Sequence, residues 1–297
     1  MDPVTMQIVY EPRDPSDFPA WRFSALDFEY DPATRSAWMS FKADGPPCFT
    51  FQTLTDMANV RESLRALYAS DRTRDFPVHY VALASNKPGV FNLGGDLAMF
   101  SRAIRQGERA MLRAYAHACI DVVHGMFSAY GLPVITVGVL SGQALGGGLE
   151  SALAQDVLFA DEAATLGVPE VAFNTFPGMG AVTLLTRRIG AARAGRVISG
   201  GEAHTAQEML AWGVVDKVAP VGTAKAAALD WMIEGGDDRR VRRLAIMQAR
   251  RTCFPVTWEE LIDIVDVWTD CSCDVMPQDL RHMDRLVAAQ TKMRKVG

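Results

Sequence analysis

Two glycine-rich turns and two glutamates are the residues of this 297-residue chain whose types and spacing fit chemistry. The turns are Phe91-Asn92-Leu93-Gly94-Gly95-Asp96 and Gly142-Gln143-Ala144-Leu145-Gly146-Gly147-Gly148-Leu149-Glu150. Each follows a short apolar run. Glycine lets the backbone approach a ligand closely and adopt dihedrals that other residues avoid. A turn that feeds a helix start also leaves N–H groups without intrahelical acceptors, and these attract negative charge. Two such turns on neighbouring strands can aim two N–H donors at one oxygen, as oxyanion stabilisation requires. Taken singly, either turn is accounted for by tight-turn geometry. A nucleotide site is not indicated, because neither GxxxxGK[ST] nor GxGxxG is present.

Glu150 falls in the first turn of the helix that follows the second glycine run, where a surface carboxylate is favoured by the helix dipole alone. Glu170 follows Pro169 in the apolar stretch Leu166-Gly167-Val168-Pro169-Glu170-Val171. Apolar flanks suggest burial, and a buried carboxylate gains a raised pKa and serves as acid or base near neutrality.

Other constellations are weaker. His117-Ala-Cys-Ile-Asp121 reads as HxxxD, a pattern used by some acyltransferases, but an exposed i, i+4 helix pair explains it as well. Ser141 precedes Gly142 without a GxSxG elbow, which argues against a serine hydrolase. Cys271-Ser-Cys273 has no second cluster or nearby histidine at ligand spacing. The five histidines form neither HExxH nor a zinc signature, so no metal site is expected. Arg239-Arg240, Arg242-Arg243 and Arg250-Arg251 make a basic helix in an acidic protein. That pattern is either a solvated face or a docking surface for an acidic partner.

Composition narrows the classes. Hydrophobic residues make up 49% of the chain, enough for one large domain or one with a small appendage. A net charge of -5 disfavours sequence-independent nucleic-acid binding. No apolar run reaches the roughly 20 residues of a membrane span, so no membrane protein is expected. The opening Met1-Asp2-Pro3-Val4-Thr5-Met6 lacks a basic n-region and an apolar h-region, and the odd cysteine number fits reduced thiols, so the expected compartment is the cytoplasm.

The elements that must position these residues follow from periodicity. Phe23–Tyr30 and Ala37–Lys42 read as an opening hairpin. A helix starts near Thr55-Asp56, with Met57, Val60, Leu64 and Leu67 on one face. Val78–Ala84 and Val134–Leu140 read as buried strands, Ser85–Asn92 as a loop, and 100–129 as one long amphipathic helix. Gly142–Gly148 reads as a turn into a short helix, Leu149–Gln155. Val157–Ala160 and Thr165–Val168 read as short strands. Alternation of strand and helix predicts an α/β fold with parallel strands. Beyond about residue 178 the pattern is wholly helical: 178–188, 205–212, 222–252 broken at Gly235-Gly236, and 257–293 broken near Pro277. These helices are expected to pack on the α/β core or across a subunit boundary.

Phe91–Asp96, Gly142–Glu150 and Gly167–Gly180 together resemble the enoyl-CoA hydratase (crotonase) superfamily. The run Gly201-Glu202-Ala203 through Ala206-Gln207-Glu208 to Trp212-Gly213-Val214-Val215-Asp216 resembles the same family's next segment. Pro47-Cys48-Phe49-Thr50, Phe91–Leu97, and Pro255–Leu261 with Arg281–Leu286 look most similar to the branch that makes diffusible signal factor, a cis-2-enoic fatty acid. The resemblance implies an α/β fold, a crotonase-like spiral of ββα units with a helical C-terminal part. It implies an N-terminal extension over 1–50 packing on the core, a core over 51–220, and a helical region over 221–297 for the acyl pocket and oligomerisation. It further implies a homotrimer or hexamer. By position, Gly95 and Gly147 would donate the oxyanion N–H groups, and Glu150 and Glu170 match the two catalytic glutamates. Leu93, Gly94, Gly146, Met179, Trp258, Trp268 and Leu286 would line the acyl pocket, although an apolar core accounts for Met179, Trp258, Trp268 and Leu286 equally well. The implied substrate is an acyl carrier protein or CoA thioester, with no cofactor. The implied regulatory partner is the receiver domain of a membrane sensor kinase.

Overall fold

The computed structural model describes residues 9–71 and 77–296, with side chains as far as residue 288. The chain opens with strands β1 (Leu26–Asp31) and β2 (Ser36–Phe41), then helix α1 (Phe51–Ser70). Next come β3 (Tyr80–Ser85), β4 (Gly89–Asn92), α2 (Leu97–Gln106) and α3 (Arg109–Phe127). A second unit holds β5 (Ile135–Leu140), β6 (Gly142–Leu145) and α4 (Gly147–Leu153). A third holds β7 (Val157–Asp161), β8 (Thr165–Gly167), a 3-10 turn over Pro169–Phe173, α5 (Ala181–Ile189) and α6 (Ala191–Gly200). Then follow β9 (Ala203–Thr205), α7 (Ala206–Ala211), β10 (Lys217–Ala219), α8 (Ala224–Ile233), α9 (Gly236–Cys253), α10 (Trp258–Cys273) and α11 (Pro277–Val296).

The strands form two sheets. The larger has the order β1-β2-β3-β5-β7-β10 and the smaller β4-β6-β8-β9. In the larger, β1 and β2 are antiparallel and the remaining pairs are parallel. In the smaller, β4, β6 and β8 are parallel and β9 runs antiparallel to β8. Each of three successive units therefore lays one strand in each sheet and then a helix, the expected spiral of ββα units. Strands β2, β3 and β5 are buried on both faces, as parallel strands usually are. Alternate side chains go to opposite cores: Val81 and Leu83 join the main cluster, while Tyr80, Ala82 and Ala84 pack with Trp38 and α8.

Local chemistry sets the boundaries that differ from the expected ones. α1 begins at Phe51, because the Thr50 hydroxyl accepts from the Thr53 N–H at 3.1 Å and caps it there. The long helix expected over 100–129 is two helices. Gly107 takes a left-handed φ of 68° and its N–H caps α2 through the Ala103 and Ile104 carbonyls. Asp96 caps the other end of α2, accepting from the Met99 N–H at 3.0 Å. β4 and β6 were legible as a loop and a turn; as four-residue strands carrying glycine they show no alternation to read. The stretch after 178 contains two strands, β9 and β10, each too short at three residues to carry a period. The breaks expected at Gly235-Gly236 and before Pro277 separate α8 from α9 and α10 from α11. Among the described residues, no helix is long and apolar enough to cross a membrane.

Candidate active site

The two glycine turns meet. Gly94 has φ +94°, a region open to glycine, and a Cβ there would lie 3.0 Å from the Gly147 nitrogen. Gly146 has φ +52°, and a Cβ there would collide with the Glu170 carboxylate. A Cβ on Gly147 would sit 2.5 Å from the Met179 sulfur and 3.3 Å from Gly94 Cα. The first turn is laced to the segment before α1: the Leu93 N–H donates to Pro47 C=O at 2.7 Å and the Phe49 N–H to Gly94 C=O at 2.8 Å. The second is tied to β8, the Gly146 N–H donating to Gly167 C=O at 2.9 Å. Gly147 opens α4, so its N–H lies in the first turn, where no intrahelical acceptor exists.

A cavity of about 330 Å³ opens over these turns. Glu150, Glu170, Gly95, Gly147, Leu93, Gly146, Met179, Trp268 and Leu286 all line it. Two residues expected in the pocket are elsewhere. Gly94 stands behind the wall, wedged between the two turns. Trp258 opens α10, roughly 15 Å along the helix from Trp268 at 1.5 Å per residue, and packs edge-on against His124. The structure adds Phe100 and Ile104 from α2, Tyr115 and Cys119 from α3, and Phe173 and Met283. The first two pairs are spaced i, i+4 in the sequence, the signal of an apolar helix face. The sequence carries no mark that this face looks onto the site.

The carboxylates are unlike one another. Glu150 is 1% exposed, not a surface cap. Burial pushes its pKa up to about 7, against the pull of N–H groups at Ala181, Met179 and Gly180. The Ala181 N–H donates to its Oε1 at 2.9 Å. Glu170, on the 3-10 turn, has its pKa pushed well above the ordinary range, first by burial and then by the charge of Glu150. Its Oε2 is buried with no hydrogen-bond partner among the described residues. The charge of either carboxylate disfavours ionisation of the other, so burial and this repulsion together keep the pair more readily protonated than free carboxyls. One acid and one base side by side beneath an apolar cavity can move a proton each way at adjacent carbons.

The other constellations separate. His117 Nε2 sits 2.8 Å from Asp266 Oδ1 on α10, while Asp121 binds Arg61 at 3.0 Å, so HxxxD is two tethers. On α9, Arg239 and Arg243 pair with Glu234, Arg240 with Asp237, and Arg251 with Asp156. The five cysteines are free thiols.

The enoyl-CoA hydratase/isomerase family model matches residues 52–244. The chain is 32% identical over 208 residues to the fatty acid oxidation complex subunit alpha of Pseudomonas syringae pv. tomato, covering 69% of this chain and 27% of that protein. It thus spans about a quarter of the curated relatives it matches. Among solved structures, enoyl-CoA hydratase from Bacillus halodurans superposes with a TM-score of 0.70 at 18% identity, over 88% of this chain and 100% of that one. DspI of Pseudomonas aeruginosa gives 0.62 at 22% identity, over 92% and 99%. These structural likenesses bear on the fold, and the family match covers the site: this chain belongs to the enoyl-CoA hydratase/isomerase family.

Proposed function

We propose that the chain dehydrates a 3-hydroxyacyl thioester on acyl carrier protein and then hydrolyses the 2-enoyl thioester to a free cis-2-enoic acid, as diffusible signal factor synthases do. The observation that carries this reading is the placing of two buried carboxylates, Glu150 and Glu170, both with raised pKa values, in the lining of one apolar cavity. In the first step, the ionised member of the pair takes the proton from C2. The electron pair moves onto the thioester oxygen, which the Gly95 and Gly147 N–H groups hold. The C3–O bond then breaks, and the protonated member gives its proton so that water leaves. In the second step, water adds to the carbonyl carbon, the same N–H groups hold the oxyanion, and the thiol leaves with a proton. The cavity lies at the small end of ligand pockets, about 300–1,000 Å³, which suits an acyl chain more than a bulky head group. For the carrier, Arg242 is exposed on α9 and offers a positive charge to an acidic partner.

A second reading is favoured by the relatives in fatty acid oxidation complexes: a plain enoyl-CoA hydratase of fatty-acid breakdown. Mass spectrometry after mixing purified protein with 3-hydroxydodecanoyl acyl carrier protein separates the two. A free 2-enoic acid is the expected product. An enoyl thioester with no free acid would remove the hydrolytic step and leave the hydratase.

A further inference from the structure

The Gly95 N–H is aimed by bonds that do not involve Gly95 itself. A peptide group is planar, so the Gly94 C=O and the Gly95 N–H point in opposite directions in one rigid unit. The Phe49 N–H holds that C=O at 2.8 Å and so fixes the direction of the donor. Phe49 is in turn held by Tyr115 on α3, whose hydroxyl donates to the Phe49 C=O at 2.6 Å. The same hydroxyl accepts from the Asp96 N–H at 3.3 Å. One phenol therefore ties both Phe49, which faces Gly95 across a bridge, and Asp96, which follows it. The ring is clamped edge-on between Phe51 at 5.2 Å and Phe100 at 5.1 Å. Phe100 also covers Gly95, since a Cβ there would lie 2.5 Å from that ring.

We infer that Tyr115 is the positioning residue of the oxyanion donor at Gly95, acting through Phe49 and Asp96 rather than on the substrate. The inference rests on the proposed role of the Gly95 N–H. Burial keeps the phenol protonated, so it donates to Phe49 throughout the working pH range. The competing account is that Tyr115 merely fills space between Phe51 and Phe100.

The test uses 4-(dimethylamino)cinnamoyl-CoA, whose absorbance moves to the red when its thioester carbonyl is polarised. The wild-type protein, Y115F and F51L are compared at saturating probe, with Tm measured for each. Y115F keeps the ring and loses both hydrogen bonds; F51L disturbs the ring packing and keeps the hydroxyl. The expected result is a red shift at least halved in Y115F and retained in F51L. On the natural substrate, Y115F is expected to lower kcat roughly tenfold, the equivalent of one well-placed hydrogen bond, with KM changed less than about threefold. An equal shift in Y115F and wild type would overturn the inference while leaving the oxyanion donors standing. Loss of the shift in F51L to the same degree as in Y115F would reduce the effect to packing and also overturn it. No shift in the wild type would instead remove the oxyanion reading on which it rests.

Discussion

The floor and the roof of the cavity are built differently. The floor is backbone: Gly146 and Gly147, backed by Gly94, are crowded where a Cβ would go, and Glu150 is held by main-chain N–H groups. The roof is side chain: Trp268 from α10 and Met283 and Leu286 from α11. It is fastened to α2 and α3 by exposed ion pairs, Arg105 with Asp284 and Arg109 with Asp270. Backbone contacts tolerate almost no change, whereas flexible side chains and solvated charges tolerate much. On the proposed function, this contrast assigns the chemistry to the floor and chain selection to the roof.

The largest effect is expected from the floor carboxylates. E150Q and E170Q should each cut kcat/KM by about 10³-fold, within the range of lost acid–base catalysis, with the circular dichroism spectrum unchanged. Full activity in both would break the assignment of chemistry to the floor. Next, G146A should lower kcat about 100-fold, because the new methyl meets the Glu170 carboxylate at a positive φ. G195A in α6, where a Cβ meets open space, should leave activity intact and raise stability by roughly 0.5–1 kcal/mol.

The raised carboxyl pKa values set the expected pH response. Below about 7 both carboxyls become protonated and no base remains, so kcat/KM should rise with pH through about 7. The same shift costs stability. Glu150 ionises less readily folded than unfolded, so the native state binds more protons from 4.5 to about 7 and stability falls as pH rises through that window. E150Q should accordingly be more stable than wild type at pH 8 by about 3 kcal/mol, read as a higher Tm, with the gap closing below pH 5. A gap that widens toward acid pH would contradict a buried, reluctantly ionised Glu150.

The roof should answer more softly. W268A removes the ring that packs on Phe100 at 5.3 Å and on Gly178. It should shift product preference toward longer or bulkier acyl chains, raise KM several-fold and cost about 3 kcal/mol of stability. Within the roof, the smallest effect is expected from D284A at the exposed Arg105 pair: a KM change under about threefold that vanishes at high salt.

The floor was far more legible in the sequence than the roof. Gly94-Gly95, Gly146-Gly147-Gly148, Glu150 and Glu170 are marked by residue type, because runs of glycine permit close backbone approach and a carboxylate in an apolar stretch stands out. Met179, Trp268 and Leu286 were nameable as apolar, but an apolar residue in a pocket and one in a core look alike until the fold places them. Trp258 shows the cost: same type, same helix as Trp268, and it faces His124 instead. The buried parallel strands announced themselves by composition. β4, β6, β9 and β10 did not, since a strand of three or four residues has too few positions to alternate. Tyr115 was invisible for another reason: its role depends on Phe49 and Asp96, which only tertiary structure brings to one hydroxyl.

The order of the two sheets carries one more consequence. The turn after β4 holds Gly95, the start of helix α4 after β6 holds Gly147 and Glu150, and the turn after β8 holds Glu170. Each circuit of the chain thus delivers its own part to the same corner, and neighbouring parts come from segments far apart in sequence. The parts touch at that corner: a Cβ on Gly146 in one circuit would reach the Glu170 carboxylate of the next. The corner is therefore an interlocked joint, in which the fit of each loop is set by the loops that the other circuits deliver beside it.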